Sequence, residues 1–150
     1  MTAATGKPNE ESQIRELIDD WASALRAKDA GGVLSCQASD FVQFALAPPL
    51  QYAGASSLDK KGLEEWFSSF QGTLDYTVRD LRITVDSTVA YCHSLNRISG
   101  TRLGGEKTDL WFRETMCFRK IAGEWKISHE HESVPFYMDG SGRAAIDLKP

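Results

Sequence analysis

Trp125-Lys126-Ile127-Ser128-His129-Glu130-His131-Glu132-Ser133 is the stretch on which the fold turns. Side chains on a strand point alternately to opposite faces, so Trp125, Ile127, His129, His131 and Ser133 form one row, with Glu130 and Glu132 on the other face. The row begins apolar and becomes polar, as expected of a strand that runs from a closed core to the mouth of a pocket. His129 and His131 are its candidate chemistry.

The preceding strand pairs with this row through the turn at Ala122-Gly123. With Gly123 in the left-handed position of a three-residue hairpin, His129 faces Thr115 and His131 faces Arg113, and Trp111 joins the group. A two-residue loop shifts the register by one and sets His129 against Met116 and His131 against Glu114. Both registers remain open. Two histidines with Arg113, Thr115 and aromatic rings can bind a carboxylate or polarise a carbonyl, because imidazole titrates near neutral pH. The plain alternative is a pair of neutral hydrogen-bonding histidines in a cavity without turnover or at a subunit interface. A His-x-His metal site is not expected, since no carboxylate shares the face.

Outward from this strand, the second half reads as strands over about 74–86, 88–100, 108–121 and 124–134, joined by hairpin turns into an antiparallel sheet. His93 shares a strand face with Tyr91, Leu95 and Arg97 and is a further candidate contact, with a satisfied mid-sheet histidine as its simpler role. The first half is helical. Ile14, Leu17, Ile18, Trp21, Ala22 and Leu25 recur at spacings of three and four over about 10–28. Gly31-Gly32 interrupts this stripe, a short helix follows at 33–37, and Phe41, Val42 and Phe44 then form a strand that ends at Pro48-Pro49. A short paired strand is expected over 50–53. Ser57 or Asp59 caps a helix through about Phe70, with Leu63, Trp66 and Phe67 on one side. Helices first and a meander afterwards is an α+β order.

Length and composition agree with one domain. The chain has 150 residues, 41% of them hydrophobic and 25% charged, typical of a water-soluble globular protein. A formal charge of -4 without a basic cluster argues against nucleic acid. No apolar run is long enough for a membrane span, and residues 1–9 lack a signal-peptide pattern and read as a mobile tail. Cys36, Cys92 and Cys117 have no metal-type spacing and read as reduced thiols in a cytoplasm. No phosphate loop, nucleophile elbow or cofactor motif is present, and no cofactor is expected.

Three segments carry a family likeness: Phe44-Ala45-Leu46-Ala47-Pro48-Pro49-Leu50 followed by Gly54, the helix ending Glu65-Trp66-Phe67, and Trp111–Arg119 leading into Trp125–Phe136. With the element order they make the chain resemble the NTF2-like superfamily, in particular its SnoaL-like and ketosteroid-isomerase-like bacterial members, over about residues 10–140, with 141–150 as a C-terminal tail. The resemblance implies a cone, a curved mixed sheet wrapped around helices, with a deep pocket and a homodimer formed through the sheets. It also implies a small, partly apolar ligand bearing a carbonyl or carboxylate. Trp21, Phe44, Tyr52, Trp66 and Trp111 would supply walls, Thr115 and His93 polar contacts, and His129, His131 and Arg113 the chemistry of an isomerase, dehydratase or cyclase. The acid that ketosteroid isomerases carry near the end of their first strand is missing from Gln43–Leu46, with Asp40 the nearest carboxylate. A non-catalytic association module is the alternative.

Overall fold

The computed structural model describes residues 9–150, so the expected tail lies outside them except for Asn9. Helix α1 spans Glu10–Arg26 and is started by Asn9, whose side-chain oxygen accepts from the Ser12 amide at 2.7 Å. Its stripe of Ile14, Ile18, Trp21, Ala22 and Leu25 is buried. The helix ends two residues earlier than its periodicity suggests, because Lys28 takes a left-handed conformation with φ 55°.

The glycine pair does not interrupt the next element. Asp29 caps helix α2, Ala30–Ser35, by accepting from the Gly32 amide at 3.0 Å. A Cβ on Gly32 would lie 2.6 Å from the Asp29 carboxylate, so the glycine is what admits the cap. Strand β1, Gln37–Phe44, follows. The strand expected at 50–53 reduces to one bridge, in which Tyr52 and Gln43 exchange both backbone hydrogen bonds at 2.9 Å. A 3₁₀ turn at Gly54–Leu58 leads to helix α3, Lys60–Ser68, capped by Asp59.

Strands β2 (Phe70–Val85), β3 (Val89–Arg102), β4 (Lys107–Ile121) and β5 (Glu124–Ser133) complete one curved, unclosed sheet. The order is β1-β5-β4-β3-β2, with β1 parallel to β5 and every other pair antiparallel. In β2, Asp80 at φ 56° sits between the pairs Arg79↔Leu95 and Arg82↔His93, and this bulge bends the sheet. Helix α1 covers the concave face, where Phe41, Leu74, Met116, Phe118 and Ile127 are fully buried, each stabilising the fold by about 1.5–3 kcal/mol. Glu10 clasps the two ends of this arrangement, accepting from Lys120 Nζ at 2.9 Å and from the Trp125 indole.

The decisive correction lies in the last hairpin. Ala122 and Gly123 both take positive φ, 51° and 83°, and Lys120 faces Trp125, so the loop has two residues of the type I′ kind. The register then shifts again, because Phe118 faces Ile127 while Cys117 faces His129 and leaves Ser128 as an extra residue. Neither expected register survives. His129 lies opposite Cys117, His131 opposite Thr115 and Ser133 opposite Arg113. The bulge also exchanges the faces: Trp125 and Ile127 point inward, and beyond Ser128 the inward residues are Glu130 and Glu132.

Candidate functional site

A cavity of about 540 Å³ lies between the helices and the concave sheet face. Its walls are Trp21 from α1, Trp66 from α3, and Phe70, Tyr76 and Phe112 from the sheet, with Gln43, Glu130 and Glu132 as a polar end. Of the residues proposed from the sequence, Trp21, Tyr52 and Trp66 line it. Phe44, His93, Trp111, Arg113, Thr115, His129 and His131 do not, because they project from the convex face.

On that convex face the histidines have ordinary partners. His129 Nδ1–H donates to the Val42 carbonyl at 2.7 Å, and the Phe44 ring meets His129 and His131 edge-on at 4.7 and 5.3 Å. Thr115 stands between His93 and His131 across three strands, and Arg113 donates to Ser133 Oγ at 3.1 Å. Trp111 lies opposite Arg97, which forms a two-pronged ion pair with Asp109. Asp40 pairs with Arg119 at the surface.

The concave face holds what sequence alternation assigned to the opposite side. Carboxyl oxygens of Glu114, Glu130 and Glu132 all lie within 4.8 Å of one another. Strand pairing builds the group: Glu132 faces Glu114 across β5 and β4, and Gln43 faces Glu130 across β1 and β5. Gln43 Nε2 donates to Glu132 at 3.1 Å and, more weakly, to Glu130 at 3.4 Å. Glu114 and Glu130 are buried to 2% and 3% exposure, and Glu132 is reached from the cavity. Among the described residues no N–H or O–H donor reaches either oxygen of Glu114.

Three negative charges cannot share this space. Two unit charges 4 Å apart repel by about 4 kcal/mol even at an effective dielectric of 20. The group therefore keeps protons. Burial, and then the charge of Glu130, push the Glu114 and Glu132 carboxyls well above the usual range. Burial also raises Glu130, but hydrogen bonds from Glu114 and Glu132 and the nearby His129 oppose the rise. Glu130, the least raised, is thus the first of the three to ionise, and Glu114 and Glu132 hold their protons more firmly.

A neutral network adjoins the acids. Ser94 Oγ donates to Asn96 Oδ1 at 2.6 Å, and Asn96 Nδ2 donates to the Tyr76 hydroxyl at 2.8 Å. Burial holds Tyr76 well above its ordinary pKa, so its hydroxyl keeps its proton. The ring is fixed edge-on against Trp21 at 5.2 Å. Chemically, the cavity offers a buried base, two acids and a phenol beside apolar walls. The all-oxygen cluster is also the donor set that hard divalent cations take. The histidines lie on the other face and line no part of the cavity.

Glu114 was visible in the sequence. It sits on the even-numbered row of β4 with Phe112, Met116 and Phe118, and an acid among such neighbours signals a buried functional group. Asn96, in the row of Ala90, Cys92 and Ile98, carried the same signal.

Helices packed into a curved mixed sheet, with a cavity between them, define an NTF2-like protein. The chain belongs to the SnoaL-like domain family, whose model matches residues 14–137. It is similar to an NTF2-like protein of unknown function from Pseudomonas putida KT2440, at 32% identity and TM-score 0.81, over 93% of this chain and 96% of that one. A candidate scytalone dehydratase from Novosphingobium aromaticivorans shares the fold at 20% identity and TM-score 0.72, over 94% of each chain. A candidate calcium/calmodulin dependent protein kinase II association domain from Xanthomonas campestris does so at 21% identity and TM-score 0.70, over 87% and 91%. No curated protein matches the chain. Among the described residues no helix is long and apolar enough to cross a membrane.

Proposed function

We propose that this protein binds a small, largely apolar compound in the cone and catalyses proton transfer on it, as an isomerase or dehydratase would, with glutamates as the acid and base. The cluster of Glu114, Glu130 and Glu132 at the polar end of the cavity, with Glu130 the readiest of the three to ionise, carries this reading, since a base and an acid of separated pKa in one cavity are what such chemistry requires. Glu130 removes a proton from carbon beside a carbonyl, and Glu132 or the Tyr76 hydroxyl protonates the carbonyl or departing hydroxyl oxygen. Glu114, behind them, holds the spare proton. The SnoaL-like fold and its likeness to a candidate dehydratase support the reaction class.

The test is a spectrophotometric screen of cyclic and aromatic hydroxy-ketones for isomerisation or loss of water. Glu130→Gln lowers kcat by about 10²- to 10⁴-fold, whereas the double variant His129→Ala/His131→Ala stays within about twofold. Turnover that survives Glu130→Gln and disappears in the histidine variant returns the chemistry to the histidines.

The protein acts as a cytoplasmic homodimer in this proposal. Its cysteines are all free, and the convex face exposes Val89 and Tyr91 at 56% and 49%, apolar surface suited to a second copy. The same face supports the second reading, an association module, which a monomer in analytical ultracentrifugation excludes.

A further inference from the structure

The cavity has a second polar end. Arg102, the last residue of β3, lies on the even-numbered inner row and is the one cation among the described lining residues. It forms no ion pair with any described carboxylate. Instead its guanidinium stacks over the Phe70 ring, 4.0 Å from the centroid, while Nη1 donates to Ser69 Oγ. Gly100 makes this possible, since a Cβ there would lie 2.9 Å from Phe70 Cδ1 and displace the ring. Trp66 meets Phe70 edge-on at 5.3 Å and completes an aromatic ladder that ends in the guanidinium. The acids sit near the other end of the same inner row, where Ser94 faces Glu114.

We infer that the ligand is an elongated monocarboxylic acid whose carboxylate pairs with Arg102, while its apolar body lies along Trp66, Phe70 and Phe112 and its oxygen-bearing far end meets Glu130 and Glu132. This rests on the cavity being the ligand site, as proposed above, and adds the class of compound. A planar guanidinium fork with N–H groups to spare matches a carboxylate in two-point contact. A single cation, in a cavity whose lining also carries Asp59, Glu130 and Glu132, suits a monoanion better than a phosphate dianion. The buried Gln37 side-chain oxygen in the same wall has no donor, and a hydroxyl on the ligand body supplies one.

The experiment follows tryptophan fluorescence of the full chain, for which Trp21 and Trp66 are reporters in the wall. It compares 4-phenylbutanoate with the neutral 4-phenylbutanamide at pH 7 and low salt. The wild type binds the acid about tenfold more tightly than the amide. Arg102→Gln removes that preference and leaves the amide within about twofold, and Arg102→Lys restores part of it. Equal binding of the two probes by the wild type, or equal loss of both in Arg102→Gln, overturns the carboxylate assignment while the Glu130 chemistry stands. Failure of both probes to bind overturns it together with the cavity reading. Because the wild-type comparison decides by itself, a variant that misfolds does not protect the idea.

Discussion

Both faces of the sheet carry polar side chains and use them oppositely. On the convex face, His93, Thr115 and His131 form a row that water can solvate, so their placement costs little and their loss removes little. On the concave face, Glu114, Glu130, Glu132, Asn96 and Tyr76 sit where solvation is lost and each needs a partner or a proton. Polar groups kept at a cost indicate function better than polar groups kept for nothing. A single extra residue at Ser128 decides which set occupies the cavity.

Removing that residue together with His129 should break the contrast most severely. With both gone, alternation from Ile127 sets His131 on the concave face opposite Met116 and turns Glu130 and Glu132 outward, whereas deletion of Ser128 alone removes the bulge and keeps both glutamates inward. The expected loss for the double deletion exceeds about 3 kcal/mol in urea unfolding followed by circular dichroism. A midpoint close to that of the wild type shows that the bulge relocates and that the faces are fixed by something else.

Phe118→Ala and Thr115→Ala sample neighbouring positions of one strand on opposite faces. The first should cost about 3–5 kcal/mol through the cavity it leaves, and the second no more than about 0.5 kcal/mol. Comparable losses in the same unfolding assay mean that a second copy buries the convex face as well.

The acids make stability depend on pH in the direction opposite to a salt-bridged carboxylate. Glu114 and Glu132 hold their protons more tightly folded than unfolded, so their contribution is complete below the ordinary carboxyl range and is lost as pH rises through the raised folded values. The melting temperature therefore falls from pH 5 toward pH 9. Glu114→Gln, which keeps a donor toward Glu130 without a titrating proton, flattens this slope and gains about 1 kcal/mol at pH 8, roughly 2–4 °C. A slope unchanged in that variant places the protons elsewhere. The smallest effects belong to His93→Ala and His131→Ala, within about 0.5 kcal/mol.

The element order, the α1 stripe and most of the sheet were legible because apolar periodicity and strand alternation are imposed by burial over many residues. Trp21 and Trp66 were found in the same way, as large rings on apolar helix faces. The site's polar end was not. Its recognition depended on one register, and a bulge arises from the fit of whole strands rather than from its own residue, so Ser128 has no signature in the sequence. The turn was misread for a related reason. Ala122 takes a left-handed conformation with φ 51° that its side chain disfavours, and the flanking ladders enforce it. Glu114 and Asn96 lay within reach of reasoning, as polar residues in apolar rows.

The clasp at Glu10 bears on the order in which the molecule can be assembled. Its carboxylate, held below the usual range by Lys120 and Trp125, joins the start of the first helix to the last hairpin across more than a hundred residues. A contact of that separation closes a long loop and forms only after nearer pairings have brought its ends together. The cavity walls run from Trp21 to Glu132, so on a growing chain no binding site exists until the final strand has emerged and α1 has been fastened to it.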